Sequence, residues 1–293
     1  MAMFHRKLPR FSYVRTGTIE ETIAFLSERR GGVKLLAGGT DLLPQLRSRE
    51  ISVPQYVVDL KTISDLDEVG YDQRSGLKIG ALVTIAAVEQ SSTIRHHFPI
   101  LAQAASVMAS PQVRNRGTFS GNLCSAVPSA DSAPSLLALD ATALVRGPKG
   151  ERAVRMDQFF RGPRETVLEA DEMMTEISVP PMAVGSRGVY LKLSPRHSMD
   201  LAVVGVAVVG RSEDGVCKDV RIALGAVAPT PVRAPMAEAI ILGNRITPEI
   251  IDEAAKNAIT QCSPINDHRA SAEYRCDMVY VMTRRALRQV FGV

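Results

Sequence analysis

The longest uncharged apolar run in the chain is Leu201–Val209, LAVVGVAVV. It is about half the ~18 residues that a membrane-spanning helix requires, so no span is expected. Its valines suit a strand covered on both faces, because a strand with one wet face alternates apolar and polar residues. The chain must therefore supply two apolar layers to sandwich this strand. The rest of the sequence has the means to do so: 45% of its 293 residues are hydrophobic and 23% charged, near the globular average. That balance excludes disorder for most of the chain. The formal net charge is +4, from 35 lysines and arginines against 31 acids, with no basic stripe. A nucleic-acid footprint needs such a stripe, so none is expected.

Helices and strands can be placed along the chain from caps and periodicity. Thr18 with Glu21 three places on opens a helix that stops at Gly31-Gly32. Val33–Ala37 and Gln55–Leu60 read as strands, giving a βαββ-like unit over residues 1–60. A second unit, 61–181, carries helices opened by Thr84 and Pro99 and strands at Ala143–Arg146 and Met174–Val179. Between Pro111 and Pro128 no helix or strand is expected; a long loop inside a compact domain is more often functional than idle. After a breaker-rich boundary at 182–188, a third unit (188–293) holds three strands, Val189–Leu193, Leu201–Val209 and Val220–Ala226, with a turn at Asp214-Gly215. Pro229–Pro235 reads as a linker. Helices Met236–Leu242, Pro248–Gln261 and Ser271–Phe291 follow, the last with Tyr274, Met278, Val281, Met282, Leu287 and Val290 on its apolar side. The fold class is α+β.

Four cysteines, Cys124, Cys217, Cys262 and Cys276, match no metal- or cluster-ligand spacing. No metal is expected in this chain, and a sparse cysteine set suits a reducing cytoplasm. Cys262 and Cys276 read as buried thiols, and His96-His97 as surface residues without further ligands. Two glycine turns carry the chemistry. In the first, Leu35-Leu36-Ala37-Gly38-Gly39-Thr40-Asp41-Leu42, a strand runs into two glycines and then a helix start. Glycines there let the backbone take φ > 0 and let amides converge on phosphate oxygens. In the second, Thr118-Phe119-Ser120-Gly121-Asn122, followed by Cys124, Ser125 and Asp131, small and hydroxyl residues crowd the same kind of turn. Either segment alone is equally well an ordinary turn. Together they can form two jaws around one diphosphate.

With these motifs in order, the sequence resembles the flavin-binding medium subunit of molybdenum hydroxylases, the carbon monoxide dehydrogenase and xanthine dehydrogenase group. The resemblance rests on AGGTDL at Ala37–Leu42, GALVT at Gly80–Thr84, SPQVRNRGTFSGNLCSAVPSADSAP at Ser110–Pro134, EADEMMTEISVP at Glu169–Pro180 and YLKLSPRHSMDLAVV at Tyr190–Val204. It implies a PCMH-type fold of two α/β subdomains plus a C-terminal three-stranded sheet with helices. It implies FAD, with Leu35–Leu42 along the diphosphate and ribityl chain and Thr118, Ser120, Gly121 and Asn122 opposite. Cys124, Ser125 and Asp131 fall on the adenosine or ribityl side, Met173 or Met174 against the adenine and Leu201 over a ring face. Lys192 is implied beside the flavin, where a cation would stabilise the reduced ring. Arg114 and Arg116 flank the second jaw, either balancing phosphates or solvated.

Two departures from the family pattern bear on the cofactor. Ser120 replaces the first glycine of a Thr-Ile-Gly-Gly-Asn motif, so it must keep φ < 0 or accept strain. Thr40 stands where some relatives carry histidine, which implies non-covalent FAD. The resemblance further implies a molybdopterin-binding large subunit and a 2Fe–2S small subunit as partners, in a dimer of heterotrimers, with molybdopterin and 2Fe–2S clusters held only by those partners. A stand-alone flavin oxidase and a nucleotide-binding module without redox activity are the alternative readings.

Overall fold

A computed structural model describes residues 7–196 and 198–293. The N-terminal unit is a parallel sheet of β1 (Ser12–Arg15), β2 (Val33–Leu36) and β3 (Tyr56–Asp59), with α1 (Ile19–Glu28) and α2 (Leu42–Ser48) as crossovers. The strand order is β1-β3-β2. α1 starts where its cap predicts: the Glu21 amide donates to Thr18 Oγ1 at 3.1 Å. The short β1 carries too little apolar signal to be read from sequence; its burial runs exposed, exposed, half-buried, exposed.

The second unit is an antiparallel sheet with its helices on one side. Its elements are β4 (Val69–Asp72), β5 (Gly76–Gly80), α3 (Ile85–Gln90), α4 (Ser92–His97), α5 (Pro99–Ser106), α6 (Pro111–Arg114), α7 (Phe119–Cys124), α8 (Ser132–Ala138), β6 (Thr142–Gly147) and β7 (Gly150–Arg155). After these come α9 (Met156–Phe159), β8 (Phe160–Gly162), β9 (Glu165–Thr166) and β10 (Met173–Val179). The order β4-β5-β10-β6-β7 puts the last strand in the middle. The expected loop between Pro111 and Pro128 in fact contains α6 and α7. Both are too short, at four and six residues, for periodicity to register, and both are held by side-chain caps from Ser110 and Thr118.

The third unit is the antiparallel sheet β11 (Arg187–Leu193), β12 (Val204–Glu213), β13 (Val216–Gly225) and β14 (Val232–Arg233), packed under α10 (Pro235–Ile241), α11 (Pro248–Ala258) and α12 (Ala272–Phe291). The sheet has a fourth, two-residue strand beyond the three expected. β14 lies in the segment read as a linker, where prolines on both sides obscure it. The β12–β13 turn has Asp214 at φ 51° and Gly215 at φ 76°, the doubly left-handed turn that twisted hairpins favour.

The valine run forms its strand only from Val204 on; Leu201–Val203 precede β12, and Leu201 is exposed. Ala207 and Val209 of β12 join the core formed by α5 and α8, while Val204, Val206 and Val208 face the core under α10–α12. Alternate residues thus tie the third unit to both layers. On α12 the buried face is Arg275, Val279, Met282, Thr283, Ala286, Leu287 and Val290. Tyr274, expected on that face, is exposed. Its neighbour Arg275 starts the buried stripe instead, because its charge is satisfied internally.

Candidate functional site

A cavity of about 690 Å³ opens where the three units meet, within the ~300–1,000 Å³ range of ligand sites. Every residue named above as a flavin contact lines it except Leu36 and Lys192. Leu36 alternates to the far side of β2 from Leu35; its Cδ1 would lie 2.8 Å from a Cβ placed on Gly39.

The first jaw is a backbone surface. The amides of Gly38, Gly39, Thr40 and Asp41 donate to no acceptor among the described residues. Gly39 has φ 76°, which only glycine adopts without strain. Gly38 has a different role: a Cβ there would sit 2.0 Å from Arg116 O, so it is the point at which the jaws touch. Asp41 leaves its own helix uncapped and accepts from Ser125 Oγ at 2.6 Å, a clasp across the jaws.

The second jaw is fixed by its own short helix. Thr118 Oγ1 accepts from the Gly121 amide at 2.9 Å, and the Ile85 amide donates to Gly117 O at 2.8 Å, tying the jaw to α3. Ser120 lies inside α7 and is not among the positive-φ residues, so the serine-for-glycine departure introduces no backbone strain. Its Oγ is buried and has no hydrogen-bond partner. Ser120 is also a residue of the cavity lining. The free amides and the cavity size both suit a dinucleotide diphosphate.

Lys192 is enclosed beside the cavity residue Asp131. Its side chain is 4% exposed, and its ammonium donates to Asp131 Oδ2 at 2.8 Å, Asp200 O at 2.9 Å and Val107 O at 3.1 Å. An ammonium has three donors, and all three are used within the chain. The group that reaches the cavity is Asp131, whose other oxygen accepts from Tyr190 Oη at 2.7 Å. Burial pushes the Asp131 carboxyl up, opposed by the Lys192 ammonium and the Tyr190 hydroxyl. Burial, reinforced by the Asp131 charge, pushes the Tyr190 phenol well above its ordinary value.

Neither flanking arginine serves the cavity. Arg114 pairs with Glu89 at 2.8 Å and donates to Met108 O, and the Arg116 side chain is exposed. His97 stacks on Tyr71 at 4.0 Å between centroids, away from the cavity, and no group of three metal-ligating residues occurs among the described residues. Cys262 and Cys276 are half-buried, not buried; Cys217 is the buried thiol. Sequence reasoning missed Lys34, Arg164, Arg196 and Arg269, the cations of the cavity lining. They come from four separate segments: Lys34 precedes the first glycine turn, Arg196 lies in the Tyr190–Val204 motif, and Arg164 and Arg269 lie in no quoted motif.

Residues 9–182 match the family model described as the FAD binding domain in molybdopterin dehydrogenase, and residues 189–290 match the CO dehydrogenase flavoprotein C-terminal domain. The carbon monoxide dehydrogenase medium chain of Hydrogenophaga pseudoflava is 37% identical over 95% of this chain and 96% of that one. The xanthine dehydrogenase FAD-binding subunit of Escherichia coli O157:H7 is 32% identical over 94% of each. Among solved structures, carbon monoxide dehydrogenase from Hydrogenophaga pseudoflava superposes with a TM-score of 0.94 at 38% identity, covering 98% of this chain and 99% of that one. Quinoline 2-oxidoreductase from Pseudomonas putida 86 does so with 0.91 at 30%, over 98% of each chain. With two jaws of the expected residues around one cavity and both family domains matched in order, the chain belongs to the family of FAD-binding flavoprotein subunits of the molybdopterin dehydrogenases.

Proposed function

We propose that this chain holds FAD for a molybdopterin-dependent hydroxylase or dehydrogenase complex and passes electrons between a partner's 2Fe–2S clusters and an external carrier. The observation that carries the reading is the row of four amides, Gly38 to Asp41, unpartnered among the described residues, on the same cavity as Thr118, Ser120, Gly121 and Asn122 of the second jaw. The amides take the diphosphate, and Met174 and Leu201 offer apolar walls. Asp131, held by Tyr190 and Lys192, presents a carboxylate acceptor to the ligand's hydroxyl or N–H groups. When bound, the flavin supplies the step between single-electron and two-electron chemistry; the chain binds it, orients it and tunes its surroundings. Thr40, where histidine would allow a covalent link, supports non-covalent FAD.

The partners proposed are a molybdopterin-binding large subunit and a 2Fe–2S small subunit, assembled as a dimer of heterotrimers in the cytoplasm. Support comes from the near-full-length likeness to the medium chain of carbon monoxide dehydrogenase and to subunits of other multi-subunit enzymes, such as the nicotine 6-hydroxylase medium subunit of Paenarthrobacter nicotinovorans. No helix among the described residues is long and apolar enough to cross a membrane. Purification of the chain with its genomic neighbours tests the proposal. The expected result is one FAD per chain and co-elution with subunits that carry the molybdenum cofactor and iron–sulfur clusters. A colourless chain that takes up no FAD would overturn it. Reduction of the isolated flavoprotein by an organic substrate would favour the stand-alone oxidase instead.

A further inference from the structure

We propose that Arg269 is a flavin-contacting cation, set in place by an Asp267–Arg275 anchor. The inference rests on the flavin reading above and adds a residue to it. Lys192 has no donor left to offer a ligand, since all three are taken by Asp131, Asp200 and Val107. Of the cavity-lining cations, Lys34 is exposed, and the Arg164 and Arg196 side chains are 52% and 74% exposed. Arg269 stands apart at 27%.

Its position is built, not incidental. Arg269 Nη1 donates to Asp267 Oδ2 at 3.1 Å, leaving Nε and Nη2 without a partner among the described residues. Asp267 also accepts from the backbone amides of Arg269 at 2.9 Å and Ala270 at 3.1 Å, which folds the loop around its carboxylate. These amides and the Arg275 guanidinium overcome the cost of desolvation and hold the Asp267 carboxyl well below the usual carboxylate range. Arg275 then fastens that carboxylate to the sheet. Its side chain is 4% exposed and donates to Asp267 Oδ1 at 2.9 Å, Val203 O at 2.7 Å and Ala226 O at 3.1 Å. Val203 follows the cavity residues Met199–Leu201, and the Ala226 amide donates to Pro128 O at 2.9 Å, beside the segment that ends in Asp131. One buried guanidinium therefore ties together three segments that adjoin the cavity, and Arg269 is the least exposed cation of the lining. A cation with two free donors in a partly desolvated cavity is chemically matched to an oxygen of the dinucleotide.

The test is a double-mutant cycle on the full chain, with FAD added back to stripped protein and binding followed by quenching of FAD fluorescence. Arg269→Gln is expected to weaken FAD binding about tenfold or more, the usual worth of a charge-assisted hydrogen bond, at an unchanged melting temperature. Arg269→Lys restores part of the loss. Asp267→Asn weakens binding through the lost tether, and combining it with Arg269→Gln adds little, because both act through one contact. Wild-type affinity in Arg269→Gln, or full additivity of the two substitutions, would overturn the assignment. A wild-type chain that binds no FAD would instead sink the functional reading on which it rests.

Discussion

Removing the Lys192 ammonium while keeping most of its volume, Lys192→Met, probes the charge pair behind the cavity. The Lys192 and Asp131 side chains are 4% and 8% exposed, so neither is rescued by water when its partner goes. Breaking a buried pair from one side costs about 3–5 kcal/mol, since the remaining charge stays buried. For a 293-residue chain unfolding as a unit, that is a fall in Tm of about 5–8 °C. The loss should depend on pH. In the wild type, burial already raises the Asp131 carboxyl while Lys192 opposes the rise. Without Lys192 it rises further, and the folded variant holds a proton that the unfolded chain releases. The stability that proton provides is present at low pH and is lost as pH rises through the raised value. The gap between variant and wild type should therefore be smallest in acid and widen toward neutrality. Thermal melts of both proteins across that range, with the double substitution Lys192→Met, Asp131→Asn as control, give the measurement. The control should recover part of the loss, because it removes the orphaned charge. An unchanged Tm for Lys192→Met, with no pH dependence, would mean that water reaches Asp131 and would refute the reasoning.

Gly38→Ala should abolish most FAD uptake, because its methyl group would fall on Arg116 O and force the jaws apart; fluorescence titration checks it. Gly39→Ala places an L residue at φ 76° and should cost about 1–2 kcal/mol, read as a lower Tm of the flavin-free protein. Ser120→Ala removes a hydroxyl that has no partner, so the flavin-free protein should be as stable as the wild type or more so, while FAD affinity falls; equal affinity would remove Ser120 from the site. Acid precipitation of the holoprotein should leave all flavin in the supernatant, and flavin on the pellet would contradict non-covalent attachment.

Much of the fold was legible because its signals are local. The side chains of Thr18 and Thr84 each accept an amide of the helix that follows, as the sequence predicts, and Ser271 does the same at the start of α12. The Asp214-Gly215 turn announces the β12–β13 hairpin. What was not legible is short or paired at a distance: β1, β14, α6 and α7 span too few residues for any period to register, and each is defined by partners elsewhere in the chain. The jaws were legible for a similar reason. Each is a contiguous segment whose small residues are needed where backbone meets backbone. Gly38 has a second task that sequence alone did not show: besides lining the cavity, it admits the opposing jaw at Arg116.

The charged residues around the cavity follow another rule, and it explains why they misled. Hydrophobic periodicity placed Tyr274 on the buried face of α12, yet the side chain that starts that face is Arg275. Buried charge is stable only where several acceptors converge, and acceptors for Arg275 come from Val203, Ala226 and Asp267, in three separate segments. The same holds for Lys192, whose acceptors lie on Val107, Asp131 and Asp200. Neither set can be seen until the sheets are assembled. The lysine of a family motif holds Asp131 in the assembled fold, while Arg164 and Arg269 of the cavity lining lie outside the quoted motifs. The motif thus marks where charge is buried near the cavity, and the folded walls determine which charge the cavity meets.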